Sequence, residues 1–191
     1  DQLGSSVSSA GDVNGEGYGD IIVGENGYNN GADQGRAYIY FGGSAMNNTA
    51  DVILTGTSAG DEFGSTVSSA GDVNGDGFGD VIVGAPGYLT EQGRAYIYYG
   101  GSSMNSSADV ILTGASSNDD FGFSVSDAGD VNGDGYSDVI AGAHGYIAGT
   151  DHGSAYIYFG GASMNNTADV TLTGSAAGDN FGYSVSSAGD V

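Results

Sequence analysis

Asp72-Val73-Asn74-Gly75-Asp76-Gly77-Phe78-Gly79-Asp80 runs directly into Val81-Ile82-Val83-Gly84-Ala85-Pro86-Gly87. Oxygen-bearing side chains stand at positions 1, 3, 5 and 9 of the first stretch, with glycines at positions 4 and 6. Glycine allows the positive φ of a tight turn, so several hard oxygens can be aimed at one point, which is the chemistry of a calcium loop. Position 7, Phe78, can add its backbone carbonyl. An EF-hand would need a bidentate Glu at position 12, where Val23, Val83 and Ala141 stand, and a helix after it. The chain instead continues into a β-branched apolar run ended by Gly and Pro, which favours a short buried strand. The loop therefore joins two strands.

The loop recurs. Asp12, Asn14, Glu16 and Asp20, with Tyr18 at position 7, form one copy; Asp72, Asn74, Asp76 and Asp80, with Phe78, a second; Asp130, Asn132, Asp134 and Asp138, with Tyr136, a third. Ligand positions repeat while the residues between them vary, so three Ca²⁺ sites per chain are expected, with ligand distances of about 2.3–2.6 Å. Glu16 is the one change among the acids. Its extra methylene moves the carboxylate outward, and this site is expected to be the weakest.

Composition narrows the fold and the partners. The 191 residues include 38 Gly, one Pro and no Cys, which excludes a helical protein and disulfide stapling. A formal charge of −22, with Arg36 and Arg94 as the only Arg or Lys, argues against nucleic acid. Three bound Ca²⁺ would bring −22 to about −16. No apolar run approaches the roughly 18 residues that would span a bilayer, so membrane insertion is not expected.

Gly4, Gly64, Gly122 and Gly182 recur at spacings of 60, 58 and 60, and the segments between them realign. The units are 1–60, 61–118 and 119–178, with 179–191 opening a fourth. Each unit reads as four strands separated by turns. In the second these are a Ser/Ala/Gly-rich inner strand over 63–71, an apolar one over 80–84, an aromatic one over 94–99 and a last one over 109–113. Four-stranded antiparallel sheets that are apolar on both faces find cover by stacking radially. The predicted fold is all-β: a β-propeller of three blades plus the first, inner strand of a fourth.

Phe63-Gly64, the calcium loop and Gly84-Ala85-Pro86 together resemble the FG-GAP repeats of the integrin α-subunit propeller and of bacterial integrin-like proteins, and the resemblance covers the whole chain. Leu3-Gly4 stands in place of Phe-Gly. Gly24-Glu25-Asn26 and Gly142-Ala143-His144 stand in place of Gly-Ala-Pro. The resemblance implies calcium loops on one face, partners held on the other and, usually, seven repeats in a ring.

Other patterns have plainer readings. Gly56-Thr57-Ser58-Ala59-Gly60 fits the nucleophile-elbow pattern, but the equivalent stretches in the other units mark it as the link between units, and no catalytic role is assigned. His144 and His152 read as surface-loop histidines. Asn47, Asn105 and Asn165 head N-x-[ST] triplets that suit turns as well as glycans. Tyr38, Tyr40, Tyr96, Tyr98, Tyr156 and Tyr158 alternate along third strands and are expected to stack on the neighbouring blade rather than form a carbohydrate platform.

The expected function is a non-enzymatic, calcium-stabilised, extracellular or cell-surface scaffold for protein recognition or adhesion. A lectin-like propeller and an accessory domain of a secreted enzyme are the alternatives. Bare faces on the end blades would need cover, either from a second copy in a homodimer that closes a six-blade ring or from further blades of a longer propeller. In the dimer the C-terminal inner strand could replace that of the partner's first blade, with Asp190 standing in for Asp12.

Overall fold

The computed structural model describes residues 2–27, 34–145 and 152–189. Three antiparallel sheets of four strands succeed one another along the chain. The first holds β1 (Leu3–Gly11), β2 (Asp20–Glu25), β3 (Arg36–Tyr40) and β4 (Val52–Thr55). The second holds β5 (Thr66–Gly71), β6 (Asp80–Ala85), β7 (Arg94–Tyr98) and β8 (Val110–Thr113). The third holds β9 (Ser124–Gly129), β10 (Asp138–Ala143), β11 (Ser154–Tyr158) and β12 (Val170–Thr173). Each sheet is a meander in sequence order, and the inner strands β1, β5 and β9 stand side by side. Strand alternation puts the metal-type loops at one end of the sheets and the links between blades at the other.

Two cores form, one in each joint between blades. Alternation along the strands divides the side chains between them. Val81, Val83, Tyr96 and Tyr98 of the second blade meet Ile22, Ala37, Ile39 and Leu54 of the first. On its other face Ile82, Ala95, Ile97 and Leu112 meet Val125, Val139 and Tyr158 of the third. β6 is buried along its whole length because both of its faces are covered. The tyrosines obey this division: Tyr96 and Tyr98 meet Phe63 edge-on at 5.4 and 6.3 Å, and Tyr156 and Tyr158 meet Phe121 at 5.6 and 6.2 Å. Tyr38 and Tyr40 lie on the first blade's other face.

Phe63 departs from the sequence expectation. The inner strand of the second blade begins at Thr66, not at residue 63, because Phe63 leaves its own sheet to bridge Gly35 of the preceding blade. Phe121 bridges Gly93, and Phe181 bridges Gly153, in the same way. The Phe-Gly and Gly-Ala-Pro motifs meet at this point. Gly64 N donates to Gly84 O at 3.0 Å within the blade, while a Cβ on Gly64 would come within 2.1 Å of Arg36 O. Gly64 has φ +86, so close approach and left-handed backbone both demand glycine.

The fourth repeat is only begun. Phe181 takes the joint position and Ser124 Oγ donates to Gly182 O at 2.8 Å, but 184–189 form no ladder among the described residues. A strand needs a neighbour for its N–H and C=O groups, and none is supplied here. Asp190 lies outside the described residues.

Candidate metal centre

Each inner strand ends in a bulge at Gly11, Gly71 or Gly129, and the chain then turns through the nine-residue loop. In the second loop Asp72 organises the turn. Its Oδ1 accepts from Gly75 N at 2.7 Å and Asp76 N at 3.1 Å, and its Oδ2 accepts from Gly77 N at 2.9 Å. Asn74 Oδ1 accepts from Asp76 N at 2.8 Å, and Asp76 Oδ1 from Phe78 N at 3.0 Å. Asp130, Asn132 and Asp134 repeat the arrangement. Asp12 and Asn14 keep their part of it, whereas Glu16 does not form the side-chain pair that Asn74 makes with Asp76 at 3.0 Å and Asn132 with Asp134 at 2.8 Å.

The ninth residue has a second task. Asp20, Asp80 and Asp138 are buried, and each fastens two separate turns. Asp80 Oδ2 accepts from Val73 N and its Oδ1 from Gly100 N, both at 2.8 Å. Asp20 holds Val13 N and Gly42 N, and Asp138 holds Val131 N and Gly160 N. Burial pushes the Asp80 carboxyl up to about 7; the two N–H groups oppose the shift and the charges of Asp76 and Asp72 add to it. Asp138 is raised by the same causes. Arg36 and Arg94 begin third strands at the opposite end of the sheets, so neither can balance these charges.

Among the described residues no three His, Asp or Glu side chains are gathered into a closed ligand set. The donor chemistry nevertheless fits a hard divalent cation: carboxylate and amide oxygens border one glycine turn, and a buried carboxylate lies beside two other acids without a compensating base. An oxygen that accepts one N–H bond keeps a lone pair for a metal.

Neighbouring loops are tied together. Gly79 N donates to Asp12 O at 2.8 Å and Gly101 N to Val13 O at 2.7 Å; Ser137 N and Gly161 N do the same to Asp72 O and Val73 O at 3.0 and 2.7 Å. These links could not be read from the spacing of ligands within a loop.

The opposite end carries a cleft of about 330 Å³ between the second and third blades, with Glu62, Pro86, Glu91, Asp120, Phe123 and His144 in its lining. His144 is more enclosed than a surface-loop histidine: its ring lies tilted against Phe123 with centroids 4.2 Å apart and meets Tyr183 edge-on at 5.2 Å, with Nε2 3.7 Å from Asp120 Oδ2. His144 occupies the place of Pro86, which accounts for its enclosure. His152 Nδ1 lies 3.1 Å from Gly174 O. Ser58 N donates to Asp61 Oδ2 at 2.8 Å in the link between blades, with no strand-to-helix elbow. The Oδ1 atoms of Asn47, Asn105 and Asn165 accept from Thr49 N, Ser107 N and Thr167 N, each at 2.7 Å, which is the turn reading of these triplets.

Comparison with known proteins agrees with this architecture. The FG-GAP repeat matches residues 3–40, 63–98 and 121–158. The chain belongs to the FG-GAP repeat family and is integrin-like. It is 36% identical to integrin alpha-5 of Xenopus laevis over 155 residues, covering 75% of this chain and 15% of that protein. Integrin alpha-IIb of Mus musculus is also 36% identical over 155 residues, with the same coverage. Phosphatidylinositol-glycan-specific phospholipase D of Rattus norvegicus is 31% identical over 188 residues, covering 90% of this chain and 22% of that protein. The chain thus spans less than a quarter of the length of these relatives. Among the described residues no helix is long and apolar enough to cross a membrane.

Proposed function

We propose that the chain is a calcium-stabilised propeller scaffold for protein recognition or adhesion, acting outside the cell or at its surface, with no catalytic activity of its own. Buried Asp80, fastened to two turns and flanked by Asp72 and Asp76 with no base nearby, is the observation that carries the calcium reading. The Ca²⁺ ligands would be Asp12, Asn14, Glu16 and Asp20; Asp72, Asn74, Asp76 and Asp80; and Asp130, Asn132, Asp134 and Asp138, with the carbonyls of Tyr18, Phe78 and Tyr136. When bound, the ion neutralises the facing carboxylates and stiffens loops that already bind each other across the joints. Recognition is assigned to the opposite end, where the links between blades border the cleft beside His144.

The phospholipase relatives favour a second reading, an accessory domain attached to a secreted enzyme. A lectin-like platform is less favoured because Tyr96, Tyr98 and Tyr158 are buried in the joints. Calorimetric titration of the metal-free protein with CaCl₂ tests the central claim. Three binding events accompanied by a rise in melting temperature are expected, and no heat and no thermal shift at millimolar calcium would overturn it. Glycan-array binding would restore the lectin alternative.

A further inference from the structure

Val13-Asn14-Gly15 and Val73-Asn74-Gly75 are the same tripeptide at the same place in two loops. Asparagine is chemically labile, and most so before glycine, which has no Cβ to shield its nitrogen from the preceding side-chain amide. In an unfolded chain the two asparagines would therefore react alike. In the fold their covers are also alike: a Cβ on Gly15 would come 2.5 Å from Phe78 Cε1, and one on Gly75 would come 2.5 Å from Tyr136 Cε1. The glycine nitrogens are engaged alike, since Gly15 N donates to Asp12 Oδ1 at 2.8 Å and Gly75 N to Asp72 Oδ1 at 2.7 Å.

The amides themselves differ. Asn74 is held at both ends by one residue: its Oδ1 accepts from Asp76 N at 2.8 Å, and its Nδ2 donates to Asp76 Oδ2 at 3.0 Å. Asn14 Oδ1 accepts from Glu16 N at 3.1 Å, but its Nδ2 is not tied back to the Glu16 carboxylate. The longer side chain reaches the other way, with Glu16 Oε1 3.8 Å from the Cβ position of Gly43. Rotation about the Cβ–Cγ bond of asparagine is broad unless hydrogen bonds fix it, so the Asn14 amide can turn its carbon towards Gly15 N where the Asn74 amide cannot turn towards Gly75 N. Asn132 is held as Asn74 is, with both contacts to Asp134 at 2.8 Å, but no ring lies over Gly133 and the matched pair is Asn14 and Asn74. Asn26, also followed by glycine, is half-buried and donates from Nδ2 to Ser65 Oγ at 3.4 Å.

We propose that Asn14 is a covalent modification site, converted by spontaneous deamidation to aspartate and isoaspartate, and that Glu16 is the residue that leaves it open. Gly15 N loses its proton and bonds to Asn14 Cγ; the Cγ–Nδ2 bond breaks, and Nδ2 leaves as ammonia with a proton in exchange, closing a succinimide. Water then opens the ring. Cleavage between Cγ and the nitrogen gives aspartate, and cleavage between the main-chain carbonyl and the nitrogen gives isoaspartate. Aspartate adds a fourth carboxylate to those of Asp12, Glu16 and Asp20. Isoaspartate lengthens the main chain by one methylene, which displaces the Glu16 and Gly17 N–H groups from Asp12. On the calcium reading, which this consequence rests on and the conversion itself does not, the ligand charge of the first site changes with the age of the molecule.

The full chain is held in chelator at mildly alkaline pH, both folded and unfolded in guanidinium, then digested at intervals for mass spectrometry with chromatographic separation of the Asn, Asp and isoAsp peptides. Each folded rate divided by its unfolded rate removes intrinsic reactivity. On that scale Asn14 is expected to exceed Asn74 several-fold. Glu16→Asp should slow Asn14 to the level of Asn74, and Asp76→Glu should speed Asn74 to the level of Asn14. An Asn14 no faster than Asn74 overturns the proposal, and so does either asparagine keeping its parent rate in its own variant. The assay contains no free metal, so a failure of the calcium reading leaves these rates unaltered and the two failures stay distinguishable.

Discussion

The ring of Phe78 stands over Gly15 of the preceding blade, so that a Cβ on Gly15 would come 2.5 Å from Phe78 Cε1. Tyr136 covers Gly75 in the same way, and Gly133 is open. Position 7, whose carbonyl is proposed as a calcium ligand, thus also supplies a lid for the neighbouring loop in the second and third copies. Gly15→Ala and Gly133→Ala both place a side chain on left-handed backbone, at φ +76 and +79, which costs about 1–2 kcal/mol. Only Gly15→Ala must also displace a ring, and about 1–3 kcal/mol of further loss is expected. Denaturant unfolding of the two variants measures the difference; equal losses would show that the ring moves freely.

Gly84→Ala is expected to be more damaging. Its Cβ would fall 2.0 Å from Gly122 O and 2.4 Å from Thr66 Oγ1, in a joint formed by backbone rather than by a flexible side chain. Gly84 is not among the positive-φ glycines, so the loss would be steric alone. A destabilisation above about 3 kcal/mol is expected from overpacking a rigid contact. A variant that melts within a degree of the parent would show that the blades separate easily.

The calcium reading gives stability a signed dependence on pH. With its carboxyl raised from 3.8 to about 7, folded Asp80 holds a proton more tightly than unfolded Asp80 does. In metal-free protein the stability that this contributes is complete below the unfolded value and lost as pH rises through about 7. Melting temperature in chelator should therefore fall between about pH 4 and pH 7, while excess Ca²⁺ should remove the fall by favouring the ionised form. Parallel pH profiles with and without calcium would count against metal at these loops.

Glu16→Asp should bring the first loop level with the others. The aspartate can make the pair with Asn14 that Asp76 makes with Asn74, which the longer glutamate does not. Titration of parent and variant should show the weakest of three calcium affinities rising several-fold. A weakest site that does not respond would place the weakness in another loop.

The ligand spacing, the 60- and 58-residue repeats and the two-faced apolar runs already specified three antiparallel blades and the end of each that carries the metal-type loops, because each signal lies within a few consecutive residues. That each pair of tyrosines shares one face was legible from alternation, whereas which blade Tyr96, Tyr98, Tyr156 and Tyr158 meet was decided by the packing. Tertiary structure decided that Phe63 leaves its own sheet, that Gly84 must be glycine because Gly122 O fills the space beside it, and that Asp80 fastens Val73 and Gly100 while bordering the loop. It also enclosed His144 between Phe123 and Tyr183, where a lone histidine in a glycine-rich loop had suggested exposure. These features arise where backbone from one blade meets backbone or rings from the next. A local pattern records what a residue can do, and only the packing of distant segments determines which neighbour takes up the space around it.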